Sequence, residues 1–397
     1  MRFNFERAAF YLTATSVITI LFSIAASQIL LGLAFAALLI SSTKIRLPPI
    51  KLPLAIFIAG TVVSLCLSVD PRSGMPQIRK FFVFLVLVLV YSTFKSIAQI
   101  RSVVLIAGGV AALSAARSLF QFLQKYQASQ ELHEHFYDYY VGERITGFMS
   151  HWMTLGGEEM IVLLMLAAFL FFSNHRRWKV GGWICVAILS VSVVLGYTRS
   201  IFLLGLPAGL LYLLWFWHRW LVVALPAVAV AGILAIPPIR ERVTSIVQPH
   251  GETDSNLHRT ITRRTGLEMI RAHPLFGLGP EQVKAQFKDY VPADIQRPLP
   301  NGWYGHLHNI YLQYAAERGL PTLLAMLWLI GKALFHFGKG LQHRESLAED
   351  ARFVLHGAIA VILAILAEGF LEYNLGDSEV LTMFLAVLAF GYVAVEL

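Results

Sequence analysis

Apolar residues in this chain are grouped into long runs, most of them separated by short polar connections. The runs lie near residues 8–24, 26–42, 51–69, 80–95, 99–121, 158–174, 180–197, 200–217, 219–237, 319–337, 354–372 and 379–396. A helix that crosses a hydrocarbon layer of about 30 Å needs roughly 20 apolar residues, so each run is about long enough to cross once. The pattern predicts an all-α polytopic membrane protein with about twelve transmembrane helices.

The composition supports this prediction. Of the 397 residues, 57% are hydrophobic and 14% are charged, and the mean hydropathy is +0.64. This apolar share is higher than the core of a water-soluble domain requires. The N-terminal apolar run has the character of a signal peptide, but a second run follows at once, so we interpret it as an uncleaved first span. Cys66 and Cys185 both lie within apolar runs and predict neither a disulfide framework nor a cysteine metal site.

Two polar connections are much longer than the others and lie near residues 121–157 and 238–318. Connections longer than about 12–15 residues are usually functional or disordered. The second alternates proline and glycine turn signals with helical pieces, so we expect it to be ordered and helical. The chain then divides into residues 1–237 with nine spans and the smaller loop, residues 238–318 as the large loop, and residues 319–397 with three spans.

Basic residues in the short connections predict the orientation, because they stay on the cytoplasmic side of a membrane. Arg7, Lys44, Arg101 and the "HRRWK" segment at 175–179 alternate as this rule requires. The connection that holds Arg72 is an exception. Both termini are therefore predicted to be cytoplasmic, with both long loops on the opposite side.

The net charge of +8 narrows the possible partners. The basic residues are spread through the connections and form no basic-aromatic pattern for nucleic acid, so membrane lipids or a phosphorylated substrate are expected instead. No glycine-rich phosphate loop or nucleophile elbow is present, so ATP-driven chemistry is not expected. No internal repeat is evident, which argues against many secondary transporters.

A histidine before the tenth apolar run is the strongest candidate for proton chemistry. It lies in "GHLHNIYLQYAAERGLP", for which we predict a helix from about His306 to Arg318 that ends at Gly319 and Pro321. In that helix His308 and Tyr311 would share the packed face. An imidazole suits a proton acceptor near neutral pH. A buried histidine that hydrogen-bonds a backbone carbonyl is the simpler alternative.

Arginines form a second group of candidates. Arg199 follows an apolar run with almost no loop around it, so it needs a counter-charge or reaches lipid phosphate. Arg259 and Arg263 lie one turn apart on a predicted helix, where like charges repel unless an anion lies between them. A solvated basic face is the alternative for this pair. Glu368 and Glu372 are possible partners of the arginines.

The smaller loop contains several polar side chains. His133, His135 and Asp138 could contribute to a zinc site, but no third ligand has a typical spacing, and His151 is distant in sequence. We therefore predict no metal here. Arg144 in "RITGF" is a further candidate for an anion contact.

Four segments together resemble the O-antigen ligase and polymerase superfamily. They are "RITGF" with Arg144, "TRS" with Arg199, "HR" at 258–259 followed by "GLEMIRAHPLFGLGPEQ", and "HNIYLQYAAERGLP" from His308. The resemblance implies a class C-like membrane glycosyltransferase in the bacterial inner membrane, with a large periplasmic loop over the helical bundle. It also implies transfer of a glycan from an undecaprenyl-pyrophosphate carrier to a lipid A-core oligosaccharide.

The resemblance assigns roles to particular residues. The family's loop histidine matches His308, and its essential arginines match Arg199 and Arg259. Those arginines, with Arg144, would bind the pyrophosphate. The family often has tryptophan four residues after the loop arginine, and this chain has Arg263 there, so the register between Arg259 and Arg263 stays open.

The expected chemistry needs no cofactor or metal, since no metal-binding DxD pattern is present. His308 would be the general base in an inverting transfer, Asn309 would orient the site, and Tyr311 would pack. A polymerase of the same superfamily is an alternative, and a lipid-linked glycan transporter is an alternative from a different class. The sequence leaves the glycan, the acceptor sugar, the linkage and the oligomeric state open.

Overall fold

The computed structural model describes residues 4–235, 237–245, 256–300, 302, 304–342, 348 and 350–397. Residues 246–255, 301 and 303 of the predicted large loop, and residues 1–3 and 236 of the predicted first unit, lie outside the described residues. Helices and their connections make up the described part of the chain, in which no β-strand occurs.

Seventeen α-helices follow one another along the described residues. In chain order they are α1 Phe5–Thr19, α2 Ile24–Ile40, α3 Lys51–Leu67, α4 Pro71–Arg79, α5 Leu85–Thr93, α6 Ile97–Glu131, α7 Phe136–Gly142, α8 Trp152–Phe172, α9 Lys179–Leu195, α10 Leu206–Trp217, α11 Leu221–Ala235, α12 Pro237–Thr244, α13 Asn256–Ala272, α14 Gln282–Gln286, α15 Ile310–Gln342, α16 Ala351–Glu368 and α17 Ser378–Glu396. A 3-10 segment, Lys80–Phe84, joins α4 to α5, and a π-helical segment, Ile201–Gly205, precedes α10.

Seven helical stretches of the described chain are long and apolar enough to cross a membrane, by length and composition. They are Pro71–Thr93, Ile97–Glu131, Trp152–Phe172, Arg176–Leu195, Ile310–Gln342, Ala351–Glu368 and Ser378–Glu396. Shorter apolar helices include α2, α3 and α10. The predicted all-helical, multi-pass membrane class is confirmed for the described residues.

Three helices form the buried centre of the bundle. α8, α16 and α17 are buried on nearly every side, as expected of helices that are hydrophobic all round. Glycine lets two of them approach closely, because a Cβ at Gly157 of α8 would lie 2.9 Å from Val380 of α17. The outer helices expose apolar side chains, for example Ile29, Leu52 and Ile184, and such faces suit contact with lipid.

The segment before α15 differs from its prediction. The helix begins at Ile310 rather than near His306, and it continues past Gly319 to Gln342. Gly319 produces a kink with φ +79° and ψ 163° instead of ending the helix. An added Cβ there would lie 2.0 Å from the carbonyl oxygen of Leu275, so glycine is required at this position.

At the kink, the segments "HPLFGLG" and "AERGLP" are joined by backbone hydrogen bonds. Backbone N–H groups of Leu278 and Gly279 donate to the carbonyl oxygens of Ala316 and Glu317 at 2.8 and 2.9 Å. The N–H of Leu320 donates to Pro274 O at 2.8 Å. The "HPLFGLG" segment is therefore attached to "AERGLP" through the backbone, and this attachment holds the large loop on the bundle.

Buried polar groups strengthen this attachment. Glu317 accepts hydrogen bonds from the backbone N–H of Glu281 and from Gln313 Nε2, both at 2.9 Å. Arg318 donates to Gln77 of α4 at 3.1 Å. The loop also has its own apolar core on the face of α15, which includes Ile261, Met269, Leu278, Val283, Phe287, Val291, Leu307 and Ala316. The described part of the loop is thus a packed layer over one end of the bundle.

Candidate active site

His308 lies in the connection just before α15, and not on the packed face of a helix as predicted. Its φ is +47°, an uncommon conformation for a residue with a side chain. Its backbone N–H donates to Nδ1 of His306 at 3.2 Å. Asn309 caps α15, since its Oδ1 accepts from the N–H of Leu312 at 2.8 Å while its Nδ2 donates to Phe370 O at 2.8 Å. The cap positions His308 against the connection between α16 and α17.

That connection supplies the partner of the histidine. Nδ1 of His308 lies 3.1 Å from Oε1 of Glu372. The other oxygen, Oε2, lies 3.4 Å from Nη2 of Arg259. Glu372 was a possible partner of the arginines in the sequence analysis, and its contact with His308 was missed because 64 residues separate the two positions.

The carboxyl of Glu372 is held in its ionised form. Burial alone would raise its pKa, but the hydrogen bond and positive charge of His308, together with the charge of Arg259, lower the pKa to about 2. An ionised carboxylate only accepts hydrogen bonds, so Nδ1 of His308 carries the proton that faces it. When the imidazole is in its neutral form, its lone pair is then on Nε2, which is the atom that can accept a proton.

Two more imidazoles lie beside His308. The ring of His306 is 4.0 Å away between centroids, and that of His258 is 5.3 Å away. Burial and the neighbouring His308 lower the pKa of His306 to about 3, which keeps this ring neutral. The ligand atoms of His306, His308 and Glu372 lie within 4.8 Å of one another, so these three residues could hold a metal ion. The sequence analysis did not single out His306 or His258, although the His-x-His spacing was visible.

Arg199 is buried between the end of α12 and the start of α13. Its Nη1 donates to Ser245 Oγ at 3.2 Å and its Nη2 to Asn256 Oδ1 at 3.1 Å. Tyr197, two residues earlier, has a φ of +51°. The turn into the π-helical segment thus directs this guanidinium at the large loop.

Arg242 of α12 is a functional candidate that the sequence analysis missed. Its side chain is buried, with Nε donating to Tyr197 O at 3.1 Å and Nη1 donating to the hydroxyl of Tyr137 at 3.0 Å. Tyr137 belongs to the smaller loop and donates to Ser245 at 3.0 Å. The two arginines in "PPIRERV" were the feature of the sequence that could have indicated Arg242 as a site residue, but the segment resembles an ordinary polar connection.

Arg144 joins the same region from the smaller loop. Its guanidinium carbon lies 4.9 Å from the ring centroid of Trp152, and its Nε donates to Val141 O at 3.1 Å. Burial, followed by the positive charges of Arg242, Arg199 and Arg259, lowers its pKa to about 9. These three arginines therefore lie near enough to Arg144 to disfavour its charge, and an anion bound among them would be stabilised.

Arg259 and Arg263 have different surroundings although they are one turn apart. Arg259 is half-buried beside Glu372, and its Nε is buried with no hydrogen-bond partner among the residues described. Arg263 is exposed. The hydroxyl of Tyr311 donates to Leu366 O at 2.6 Å, so this side chain packs between α15 and α16. The arrangement combines a histidine base with several guanidinium donors, which can promote proton transfer beside a developing negative charge.

Comparison with known proteins gives one family. Residues 184–327 match the family model described as O-antigen ligase. The matched segment runs from α9 to the kinked part of α15 and contains Arg199, Arg242, Arg259 and His308, while Arg144 and Glu372 lie outside it. No curated protein matches the chain. Over residues 184–327, a little more than a third of the chain, the protein is similar to the O-antigen ligase family.

Proposed function

We propose that this protein is an O-antigen ligase that transfers a glycan from undecaprenyl pyrophosphate to a lipid A-core oligosaccharide. The observation that carries the proposal is the pairing of His308 with Glu372 beside Arg259, within a region that also holds Arg144 and Arg199. The family match supports the reaction class. A base next to several anion-binding donors is what glycan transfer from a pyrophosphate requires.

The proposed architecture has twelve crossings and a class C-like fold. Seven helices meet the length and composition for crossing, and α2, α3, α11 and the stretch Ile201–Trp217 are shorter apolar helices. We propose that the less apolar α1 is the twelfth crossing. Short hydrophobic helices are accommodated by local bilayer thinning. An even number of crossings places both termini on the same side of the membrane, and the basic residues of the short connections favour the cytoplasmic side. Residues 1–237 and 319–397 then form the membrane part, and residues 238–318 form the periplasmic catalytic loop at the inner membrane.

The proposed reaction is a direct displacement at the anomeric carbon of the donor. Nε2 of His308 takes the proton from an acceptor hydroxyl as its oxygen bonds to that carbon. The bond between the carbon and the pyrophosphate oxygen breaks, and its electron pair leaves with the pyrophosphate. Attack from the side opposite the leaving group inverts the anomeric centre. Ionised Glu372 stabilises the imidazolium that forms, and general-base catalysis of this kind contributes about 10²–10⁴-fold.

The arginines stabilise the leaving group in this proposal. Breaking the glycosyl bond develops negative charge on the pyrophosphate, and Arg144, Arg199 and Arg259 supply preorganised donors. We propose that these guanidinium groups take the place of a metal, so transfer needs no added cation or nucleotide. Because both substrates are lipid-linked, a site at the membrane surface lets both lipid chains stay in the bilayer while the sugars react in water.

Complementation in cells that lack their own O-antigen ligase tests the function. The wild-type chain should restore long-glycan lipopolysaccharide, visible as a ladder on a gel, whereas His308→Ala should insert normally and restore none. Accumulation of longer carrier-linked glycan without attachment to the core would instead favour the polymerase alternative. Carrier binding by the purified protein without transfer to either acceptor would favour the transporter.

A further inference from the structure

We propose that His306, His308 and Glu372 also form a binding site for a zinc-like transition-metal ion, and that an ion bound there inhibits the enzyme. The three residues come from the connection before α15 and the connection after α16. The proposal adds a ligand and a form of inhibition to the proposed function. The claim that a metal ion binds is argued from the geometry of the three residues. The claim that the ion inhibits rests on the proposed function, in which His308 is the base.

The distances suit a tetrahedral ion. Zinc binds nitrogen and oxygen at about 2.0–2.2 Å, which separates adjacent tetrahedral ligands by about 3.3 Å. Nδ1 of His308 and Oε1 of Glu372 are 3.1 Å apart. The ligand atoms of all three residues lie within 4.8 Å of one another, so the His306 ring would have to rotate to bring a nitrogen to ligand distance.

The donor set selects the kind of ion. Two imidazoles and one carboxylate suit zinc and neighbouring transition metals, whereas magnesium and calcium prefer oxygen ligands. Three protein ligands leave a fourth position for water. The expected ligand is therefore Zn²⁺ or Co²⁺, and Mg²⁺ should not compete.

Both oxygens of Glu372 already have partners. Oε1 lies 3.1 Å from Nδ1 of His308 and accepts from the backbone N–H of Tyr373 at 3.2 Å, while Oε2 lies 3.4 Å from Arg259 and 3.5 Å from the same Nδ1. An ion bound through Oε1 would leave Oε2 available for its contact with Arg259. The nearby guanidinium charge opposes a cation, so we expect reversible binding of the kind seen in an inhibitory site, weaker than binding at a structural zinc site.

Inhibition follows from the atom that the ion would occupy. In the proposed mechanism Nδ1 of His308 holds a proton against Glu372, and Nε2 is the base. A metal on Nδ1 displaces that proton and separates the imidazole from its carboxylate. The neutral ring then carries its one proton on Nε2, where no lone pair is left to accept the proton of the acceptor hydroxyl, so transfer should slow while the fold is kept.

Calorimetric titration of the purified full-length protein, with no polyhistidine tag, tests the site directly with ZnCl₂ and MgCl₂. One Zn²⁺ should bind per chain, with no response to Mg²⁺. His306→Ala and Glu372→Gln should each weaken binding about tenfold or more. The control is His135→Ala, which removes an imidazole from an exposed pair in the smaller loop and should bind Zn²⁺ as the wild type does.

Equal Zn²⁺ affinity in the wild type, His306→Ala and Glu372→Gln would overturn the site. Size-exclusion profiles and thermal unfolding of both variants separate lost ligands from lost fold, and Co²⁺ absorption in the wild type reports tetrahedral coordination. In the transfer assay Zn²⁺ should inhibit, and a chelator should restore the rate. Zn²⁺ binding without inhibition would overturn the inhibitory role alone. A metal-free protein that transfers nothing would refute the proposed function, while the titration still tests the site.

Discussion

Two His-x-His segments, His133–His135 and His306–His308, have the same spacing but different surroundings. In the first, His135 lies 3.7 Å from Asp138, and the side chains are 64% and 52% exposed. In the second, His308 lies 3.1 Å from Glu372, and the side chains are 15% and 4% exposed. His133 and His308 even share a positive φ, +55° and +47°. The sequence pattern is therefore insufficient to mark a site.

The surrounding residues make the difference. The carboxylate of the first segment is three residues after His135, on the short helix α7 that His135 precedes, and both side chains are exposed. An exposed pair of this kind has little energetic effect. The carboxylate of the second comes from the connection after α16 and is buried beside Arg259. Because these groups are buried, the hydrogen bond between Glu372 and His308 is stronger than the same contact would be in water. We therefore expect the second segment, rather than the first, to supply the proposed base.

The largest expected effect contrasts the two segments directly. With purified protein, carrier-linked glycan and core lipid, His308→Ala should lower the initial transfer rate by about 10²–10⁴-fold because the general base is lost. His135→Ala should retain the wild-type rate. Equal rates for His308→Ala and the wild type would remove the histidine from the mechanism.

The next effect compares two arginines on α13. Arg259→Ala should lower the transfer rate by about 10²–10³-fold, as for loss of a preorganised donor to a developing anion. Arg263→Ala, one turn away and exposed, should change the rate little. The same assay measures both variants. If Arg263→Ala lost most of its activity while Arg259→Ala stayed active, Arg263 and not Arg259 would be the arginine that contacts the pyrophosphate.

A smaller effect is expected at Glu372. Glu372→Gln keeps the shape of the side chain but removes the charge that orients and stabilises His308, so we expect a loss of about 10–100-fold. Its matched control is Asp138→Asn in the exposed pair, which should leave the rate unchanged. Because a positioning role acts through His308, the pH dependence of the rate should change in Glu372→Gln and stay the same in Asp138→Asn.

The smallest effect concerns stability and pH. The pKa of Glu372 is lowered to about 2 from an ordinary 4.5, so its stabilisation is present above about pH 4.5 and is lost as the pH falls through about 2. The wild type should therefore unfold at a higher temperature than Glu372→Gln at pH 7. That difference should shrink at pH 3, and a difference that grew on acidification would contradict the ionised state.

Local patterns predicted much of the fold. The apolar runs gave helices at nearly the predicted positions, because burial in lipid depends on composition over one helix. The start of α15 was misplaced, since the cap by Asn309 and the positive φ of His308 depend on contacts with Phe370 and Glu372. Gly319 was correctly recognised as a break, but its pairing with the "HPLFGLG" segment turns the break into a kink.

The site was less predictable than the fold. His308, Arg199 and Arg259 were singled out from their residue types and a family resemblance. Arg242 and the His308–Glu372 pair were not, because they depend on which distant segments meet in three dimensions. A single sequence contains no direct signal for a contact across 64 residues. The side chain that positions the proposed base could therefore be identified only from the structure.

The anomeric configuration of the product tests the central claim most directly. Purified protein is mixed with carrier-linked glycan and core lipid in the presence of a chelator and without nucleotide, and the new linkage is analysed by NMR. The account predicts a product with inverted configuration that forms with the wild type and is nearly absent with His308→Ala. A product with retained configuration, or equal product from both proteins, would contradict direct attack assisted by His308.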